Sequence, residues 1–450
     1  MEEKRKDVAP EQKTSVTHTV EAAKKVRKLV KEMYIEGIKA ALEGRPVVWL
    51  MVSFINPIIL AMDLVPIMPE NWAGLCATKR MGDPYIMRAE SEGYSNVMCS
   101  YARIGLGYCS MMREYGGIPP DAPDGGMARP VALLGSSIVC DTRYKWFQSI
   151  GRYLDVPCYN FDALSPPAAT AHRDDVRDQY VRYNVEQYRG LVRFLEELTG
   201  RRMDWDKLGY HVDIAWETMQ VWNAAYEFRK SVPCPMGTED HMNIFVPGMM
   251  QEGDPRVLDF FRDLYDELKY RAENKMRVIP DEKYRLIWGS GLPPWHTMKV
   301  FNYFGSLGAV FVYETCYKCP DVPPDMPDNI SDPLERIVLM NYLGKLQRDK
   351  RSIVGSYDFL VFENPLEWIE PYQADGIVFH WNRSCRGTTP GQLYYKDLVD
   401  KHSDVPSLVL ESDMCDVRDY FEAEWQGKIQ AFIETVDARK KARSQGPSAA

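Results

Sequence analysis

A short apolar run rich in β-branched residues, followed by a loop and a helix-length segment, recurs along this chain and constrains its fold more than any other feature. Pro46 leads into Val47-Val48-Trp49-Leu50-Met51-Val52, with Ser53 to Pro57 as a loop before a helix. The same order returns at Pro130-Val131-Ala132-Leu133-Leu134 and at Val156-Pro157-Cys158-Tyr159-Asn160-Phe161. Strands alternating with helices predict a first α/β domain with a parallel sheet over residues 46–170. After Pro280 the grammar returns, with strands expected at Tyr284 to Trp288, Gly308 to Tyr313, Gly376 to Phe379 and Ser407 to Leu410. A second α/β domain over residues 281–438 follows from them.

Helical periodicity fills the rest. Val26, Leu29, Val30, Met33, Tyr34, Ile38, Ala41 and Leu42 form one stripe that stops at Gly44, giving an N-terminal helical segment over residues 1–45 whose first thirteen or so are loose. Val176, Tyr180, Val181, Val185, Tyr188, Val192, Leu195 and Leu198 mark a longer helix ending at Gly200, with at least two more behind it. The region 171–280 is therefore helical, either as its own domain or as helices packed on the flanking sheets. Asp416 is placed to cap a last helix carrying Phe421, Trp425, Ile429, Phe432 and Ile433, and residues 439–450 read as a disordered tail.

The two α/β halves carry the marks of an internal repeat. Cys140 lies nine positions after Val131, and Cys385 nine after Gly376; Asp155-Val156-Pro157 and Asp404-Val405-Pro406 each open a later strand. Coincidence competes with this reading, since strand-loop-helix units are common.

Composition narrows the class. With 450 residues, 45% hydrophobic and 26% charged, the chain has the profile of a soluble globular protein of two or three domains. A net charge of -9 argues against general nucleic-acid binding, which needs a basic face. No apolar stretch reaches the ~20 residues of a bilayer span. The start, Met1 to Asp7, has mixed charge and no apolar core behind it, so a cytoplasmic protein is expected. In that compartment the ten cysteines read as thiols, metal ligands or buried fillers rather than disulfides.

Three cysteines stand where chemistry gathers in an open parallel sheet, in loops beyond strand ends. Cys99 lies in Asn96-Val97-Met98-Cys99-Ser100-Tyr101, Cys140 after Gly135-Ser136-Ser137-Ile138-Val139, and Cys385 in Arg383-Ser384-Cys385-Arg386. Thiolates are soft ligands for iron-sulfur clusters, and three of them leave one iron with an exchangeable position. Buried small hydrophobes are the competing reading. The pair Cys316-Tyr317-Lys318-Cys319 lacks a second pair for a zinc ribbon. It reads as a redox pair, a lid to the same crevice or thiols of a proline-rich loop. Cys76, Cys109, Cys158, Cys234 and Cys415 read as structural. His380, closing a strand five residues before Cys385, reads as a proton donor to the crevice or as a satisfied structural histidine. The 12% aromatic share suits a pocket for a planar group and equally an ordinary core.

Other machinery is missing: there is no phosphate-binding loop G-x-x-x-x-G-K-[ST], no G-x-G-x-x-G, no H-E-x-x-H and no G-x-S-x-G. The turn Trp288-Gly289-Ser290-Gly291-Leu292-Pro293-Pro294 fits a close approach to a ligand or simply a tight turn.

Taken in order, Val97-Met98-Cys99-Ser100-Tyr101-Ala102-Arg103, the Cys140-Asp141 pair, Asp375 to His380 leading to Ser384-Cys385-Arg386, Leu410-Glu411-Ser412-Asp413 and Gln430 to Glu434 carry a resemblance over nearly the whole chain. The sequence resembles the 2-hydroxyacyl-CoA dehydratase and benzoyl-CoA reductase family, most of all the B-type (O-type) subunits of ATP-dependent class I reductases. That resemblance implies two Rossmann-like domains with added helices and one [4Fe-4S] cluster on Cys99, Cys140 and Cys385. It also implies a homologous, shorter catalytic subunit with its own cluster, an ATP-hydrolysing activator dimer and a low-potential donor such as ferredoxin. The substrate would be an acyl-CoA, with no nucleic acid or membrane as partner. The implied reaction is two-electron reduction of an aromatic acyl-CoA ring to a cyclic dienoyl-CoA, or, for a dehydratase, removal of water from a 2-hydroxyacyl-CoA. A non-catalytic electron-relay or scaffold subunit is the reading from another class. Cys316 and Cys319 fall outside the family pattern.

Overall fold

A computed structural model of the chain describes residues 19–52, 55–136, 140–164, 170, 173–318, 330–341, 365–389 and 391–445. The protein is α/β, with two four-stranded, wholly parallel sheets. In the first, β1 (Val47–Leu50), β2 (Val65–Ile67), β3 (Ala132–Ser136) and β4 (Cys158–Phe161) lie in the order β2-β1-β3-β4. In the second, β5 (Tyr284–Ser290), β6 (Ala309–Glu314), β7 (Gly376–Asn382) and β8 (Ser407–Ser412) lie in the order β6-β5-β7-β8. These orders are the same order, which gives the suspected repeat a topological basis. Cys140 follows the third strand of one sheet and Cys385 the third strand of the other. Strand β2 escaped the sequence reading because it is three residues long and holds Pro66; as an edge strand it tolerates a residue with no N–H.

Helices cover both sheets. In the first half α1 (Glu21–Leu42), α2 (Asn56–Ala61), α3 (Pro69–Thr78), α4 (Asp83–Ser91), α5 (Ser100–Tyr115) and α6 (Asp141–Leu154) surround β1 to β4. The middle region contributes α7 (Asp174–Thr199), α8 (Trp205–Glu227), α9 (Thr238–Met250) and α10 (Pro255–Glu273). Helix α8 packs on α10 and α2, α9 touches α1 and β6, and α7 lies on β4. The middle helices thus pack on both flanking sheets. In α7 the stripe Val181, Val185, Tyr188, Leu191, Val192 and Leu195 is buried, each such side chain contributing about 1.5–3 kcal/mol by leaving water. One apolar core runs from the first sheet through these helices to the second.

Behind the second sheet, α11 (Lys299–Ser306) and the C-terminal helix Glu422–Ser444 enclose a separate aromatic core of Trp288, Phe301, Phe304, Phe311, Trp425 and Phe432. Two expectations change here. The Asp416 carboxylate accepts from the Arg418 amide and caps the short turn Val417–Asp419, while Phe421 stands at the N-cap of the long helix. That helix continues through Ser444, so residues 439–444 of the expected disordered tail are helical; residues 446–450 lie outside the described residues. The glycine turn after β5 folds on protein rather than opening to a ligand. Gly291 has φ +88°, the Trp288 indole donates to its carbonyl at 2.9 Å, and an added Cβ would meet the His380 carbonyl at 2.2 Å. No described helix is long and apolar enough to cross a membrane.

Candidate functional site

The site is built where the strand ends of the two sheets meet the start of α5. Helices α4, α5 and α6 are drawn together by glycine. A Cβ on Gly107 would lie 1.9 Å from the Tyr85 carbonyl of α4, and one on Gly105 would lie 2.3 Å from the Trp146 ring of α6. Only hydrogen fits at either place. With α5 and α6 thus locked side by side, their N-caps are Cys99 and Cys140.

The third cysteine arrives from the other half. The Ser100 amide, first in α5, donates to the Ser384 hydroxyl at 3.1 Å, and this bond stitches the Cys385 loop to the residue after Cys99. Each thiol is partly buried. Burial pushes the Cys99 pKa well above its ordinary value, and the nearby Cys385 and Cys140 sulfurs push it further. Burial and then the neighbouring Cys140 raise Cys385 to about 11, with Thr388 and the amides of Gly387 and Thr388 opposing. Burial likewise raises Cys140, against the pull of the Arg143 amide and guanidinium. Neither Cys99 nor Cys140 closes a capping hydrogen bond, but the amides of Ala102 and Arg143 draw their pKa values back down. The positive ends of α5 and α6 act in the same direction. The three thiols thus lie near enough for Cys99 and Cys385 to feel one another and Cys140, and burial favours their protonated forms.

Do these residues fit a metal group? Among the described residues no three His, Cys, Asp or Glu side chains close around a single ion. A cluster of several irons makes a different demand, because its corners stand apart and its thiolates need not converge on one point. Two further observations agree with such a group. Ser136 ends β3 and Asn382 ends β7, the strands that lead to Cys140 and Cys385. Both side chains are fully buried, and the Ser136 Oγ and both Asn382 amide atoms lack a hydrogen-bond partner among the described residues. Orphaned buried polar atoms are costly and call for a further group beside them.

Charged clamps hold the frame. Arg143 Nη2 donates to Glu70 at 2.9 Å and to the Val52 carbonyl at 2.6 Å, and Glu70 also accepts from the Val52 amide, tying α6 and α3 to the end of β1. Arg103, 1% exposed, bonds the Met98 carbonyl, Glu90 and Asp416. Burial alone would raise Asp416, but the Arg418 and Arg103 guanidinium groups hold it down at about 2. This clamp fixes the Cys99 turn to the segment after β8.

Not every sequence candidate joins the thiols. His380 is fully buried with Trp288 and Trp425 rings 5.7 Å away; its Nδ1 contacts the Leu292 carbonyl and its Nε2 lies 2.9 Å from the Ser412 hydroxyl. Burial lowers its pKa to about 4. Both nitrogens are engaged, so the structure gives the ring a scaffold position. Cys316 is 4% exposed, and Cys385 adds to the burial that raises its pKa; Cys319 lies outside the described residues. The sequence reading passed over Glu70, Arg143, Trp295 and Tyr317. The only signal for Tyr317 was its place beside Cys316, and for Arg143 its place one turn into the helix that Cys140 caps.

Residues 52–436 match the family described as 2-hydroxyglutaryl-CoA dehydratase, D-component. The chain is 26% identical to the (R)-2-hydroxyisocaproyl-CoA dehydratase alpha subunit of Clostridioides difficile, over 94% of this chain and 97% of that one. It is 25% identical to the (R)-phenyllactyl-CoA dehydratase alpha subunit of Clostridium sporogenes, over 93% and 97%. It is 24% identical to a benzoyl-CoA reductase subunit of Thauera aromatica, over 87% and 88%. With the match covering most of the chain, this protein belongs to the 2-hydroxyglutaryl-CoA dehydratase D-component family of acyl-CoA dehydratase and benzoyl-CoA reductase subunits.

Proposed function

We propose that the chain is the iron-sulfur subunit of an ATP-dependent benzoyl-CoA reductase, in which Cys99, Cys140 and Cys385 hold a [4Fe-4S] cluster. What supports this reading is the nearness of three thiols from both halves, with Tyr101, Trp295, Tyr317 and Phe245 packed against one another next to the Cys99 and Cys316 turns. When bound, the cluster supplies a low-potential electron to the acyl-CoA. The chain's own residues do the rest. Amides and helix ends stabilise the thiolates, aromatic side chains exclude water and accept a flat apolar group, and the Arg103 and Arg143 clamps hold the cysteine turns in place. His380 acts as a positioning residue, fixing the turn after β5 and the end of β8 beside the Cys385 loop.

The reading includes a homologous, shorter subunit with its own cluster, a separate activator that hydrolyses ATP, and a low-potential donor such as ferredoxin, all in the cytoplasm. It fits a chain without a phosphate-binding loop: alone, this protein is expected to show no ATP hydrolysis. The second reading, a 2-hydroxyacyl-CoA dehydratase subunit, is favoured by the dehydratase names among the relatives. Turnover of the anaerobically purified complex separates the two. A reductase consumes benzoyl-CoA with continuing ATP hydrolysis, because its product stores two electrons per cycle. Repeated turnover of a 2-hydroxyacyl-CoA after one activation, with benzoyl-CoA untouched, replaces the first reading by the second.

A further inference from the structure

Tyr317 has a backbone that bulky residues avoid. Its φ is +61°, and it is the only aromatic among the described non-glycine residues with positive φ. Such a conformation costs about 1–3 kcal/mol and persists only where the surroundings impose it. Here the imposing residue is His241, whose Nε2 lies 2.9 Å from the Tyr317 carbonyl. Burial lowers the His241 pKa to about 4, so the ring is neutral and its Nε2–H donates. His241 is itself held 3.2 Å from Glu314, within a fully buried group where Glu314 takes bonds from Arg229 and from Tyr226 at 2.6 Å each. The Tyr317 ring meets Phe245 edge-on at 4.4 Å and Trp295 at 5.8 Å. A buried ionic network thus holds one tyrosine in a strained pose directly after Cys316.

The hydroxyl of that tyrosine ends a directed chain. An indole N–H can only donate, so Trp295 Nε1 gives its proton to the Tyr101 oxygen. The Tyr101 and Tyr317 oxygens lie 3.5 Å apart, and either hydroxyl can donate to the other. In the arrangement where Tyr101 donates, the Tyr317 proton has no acceptor among the described residues. Tyr101 is two residues from Cys99, and the Cys385 sulfur acts on Tyr317, so this last proton lies beside the thiols. A phenol in aromatic surroundings suits a neutral oxygen acceptor on a largely apolar group.

We propose that the Tyr317 hydroxyl donates a hydrogen bond to the thioester carbonyl oxygen of the bound acyl-CoA. This rests on the acyl-CoA reading above, and the test keeps the two apart. Binding to the anaerobically purified complex is measured by calorimetry for benzoyl-CoA and isocaproyl-CoA, and for their thioethers benzyl-CoA and 4-methylpentyl-CoA, which lack the carbonyl oxygen. Tyr317→Phe is expected to weaken thioester binding about tenfold, the worth of one good hydrogen bond, to leave thioether binding within about twofold, and to leave bound iron unchanged. Equal weakening of thioesters and thioethers, or no weakening of either, overturns the proposal while the acyl-CoA reading stands. Failure of the unaltered protein to bind any of the four removes both. Tyr101→Phe keeps the Tyr317 proton and should retain the thioester preference; loss of that preference there, with Tyr317→Phe unaffected, would make Tyr101 the donor and overturn the assignment.

Discussion

The loops after β3 and β7 present Cys140 and Cys385 at matching places, yet the two thiols are secured by different means. Cys140 stands at the N-cap position of α6, and the Arg143–Glu70 pair, with side chains 6% and 14% exposed, braces the first turn of that helix. Cys385 caps no helix; its loop is pinned by the Ser384 contact to α5 in the other half. Beside the second sheet lies the Arg229–Glu314 pair, 0% exposed on both sides. A duplicated frame therefore holds one cysteine through local helix geometry and the other through docking between halves. The second arrangement is the more fragile.

The largest test of that contrast is the ionic one. Glu314→Ala leaves Arg229 buried without its partner, and a loss of about 3–5 kcal/mol in denaturant unfolding is expected. Glu70→Ala, in the less buried pair, should cost about 1–3 kcal/mol. Equal losses would erase the difference between the halves.

The joints to the first half differ in their response to pH. Burial raises the Glu252 pKa to about 8, and its Oε1 has no partner among the described residues. The folded state therefore keeps this proton while the unfolded chain releases it near pH 4.3, so stability falls as pH rises from there to about 8. Glu252→Gln should stabilise the protein by up to about 5 kcal/mol at pH 8 and by much less at pH 5. Asp416 runs the other way. Its folded pKa of about 2 makes its contribution complete above about pH 4, and that contribution fades as pH falls toward 2. Melting temperatures across pH 3–9 for the protein and for Glu252→Gln check both signs; an advantage of the variant that is constant with pH would refute the first.

Smaller effects come from the packing that positions the thiols. Gly107→Ala places a Cβ against the Tyr85 carbonyl and should cost about 1–3 kcal/mol while splaying α4 from α5. Ser384→Ala removes the acceptor of the Ser100 amide, for about 1 kcal/mol. In iron-free protein it should speed alkylation of Cys385 by iodoacetamide while leaving Cys140 unchanged. Equal acceleration at both cysteines would show that the two are secured alike.

Much of this frame was legible in the chain. Apolar strand runs, the Gly44 and Gly200 stops and the matched spacing of Cys140 and Cys385 report local and repeated physics, which sequence patterns carry well. Strand β2 and the reach of the last helix were missed, because a proline and a basic, polar tail mislead when tertiary packing decides. The site divides the same way. Three cysteines at strand ends could be selected from loop logic; the structure brings their loops near one another, and their joint role as ligands is the proposal. For His380 the sequence left a proton donor and a structural histidine both open, because strand-end position says nothing of which face a ring takes; β7 packs it against Trp425. Tyr317 and the Arg229–Glu314–His241 group involve residues some 70 to 90 positions apart, a separation that no periodicity reports.

The central claim is that Cys99, Cys140 and Cys385 together hold one cluster, and bound iron and sulfide per copy of this chain, after preparation without oxygen, test it most directly. Removal of one thiolate from a three-cysteine site leaves the metal poorly held. Cys99→Ala, Cys140→Ala and Cys385→Ala are each expected to lose most of both elements. Cys76→Ala, which removes a fully buried thiol from α3, should keep them. Near-normal iron and sulfide in all three site variants would contradict the account.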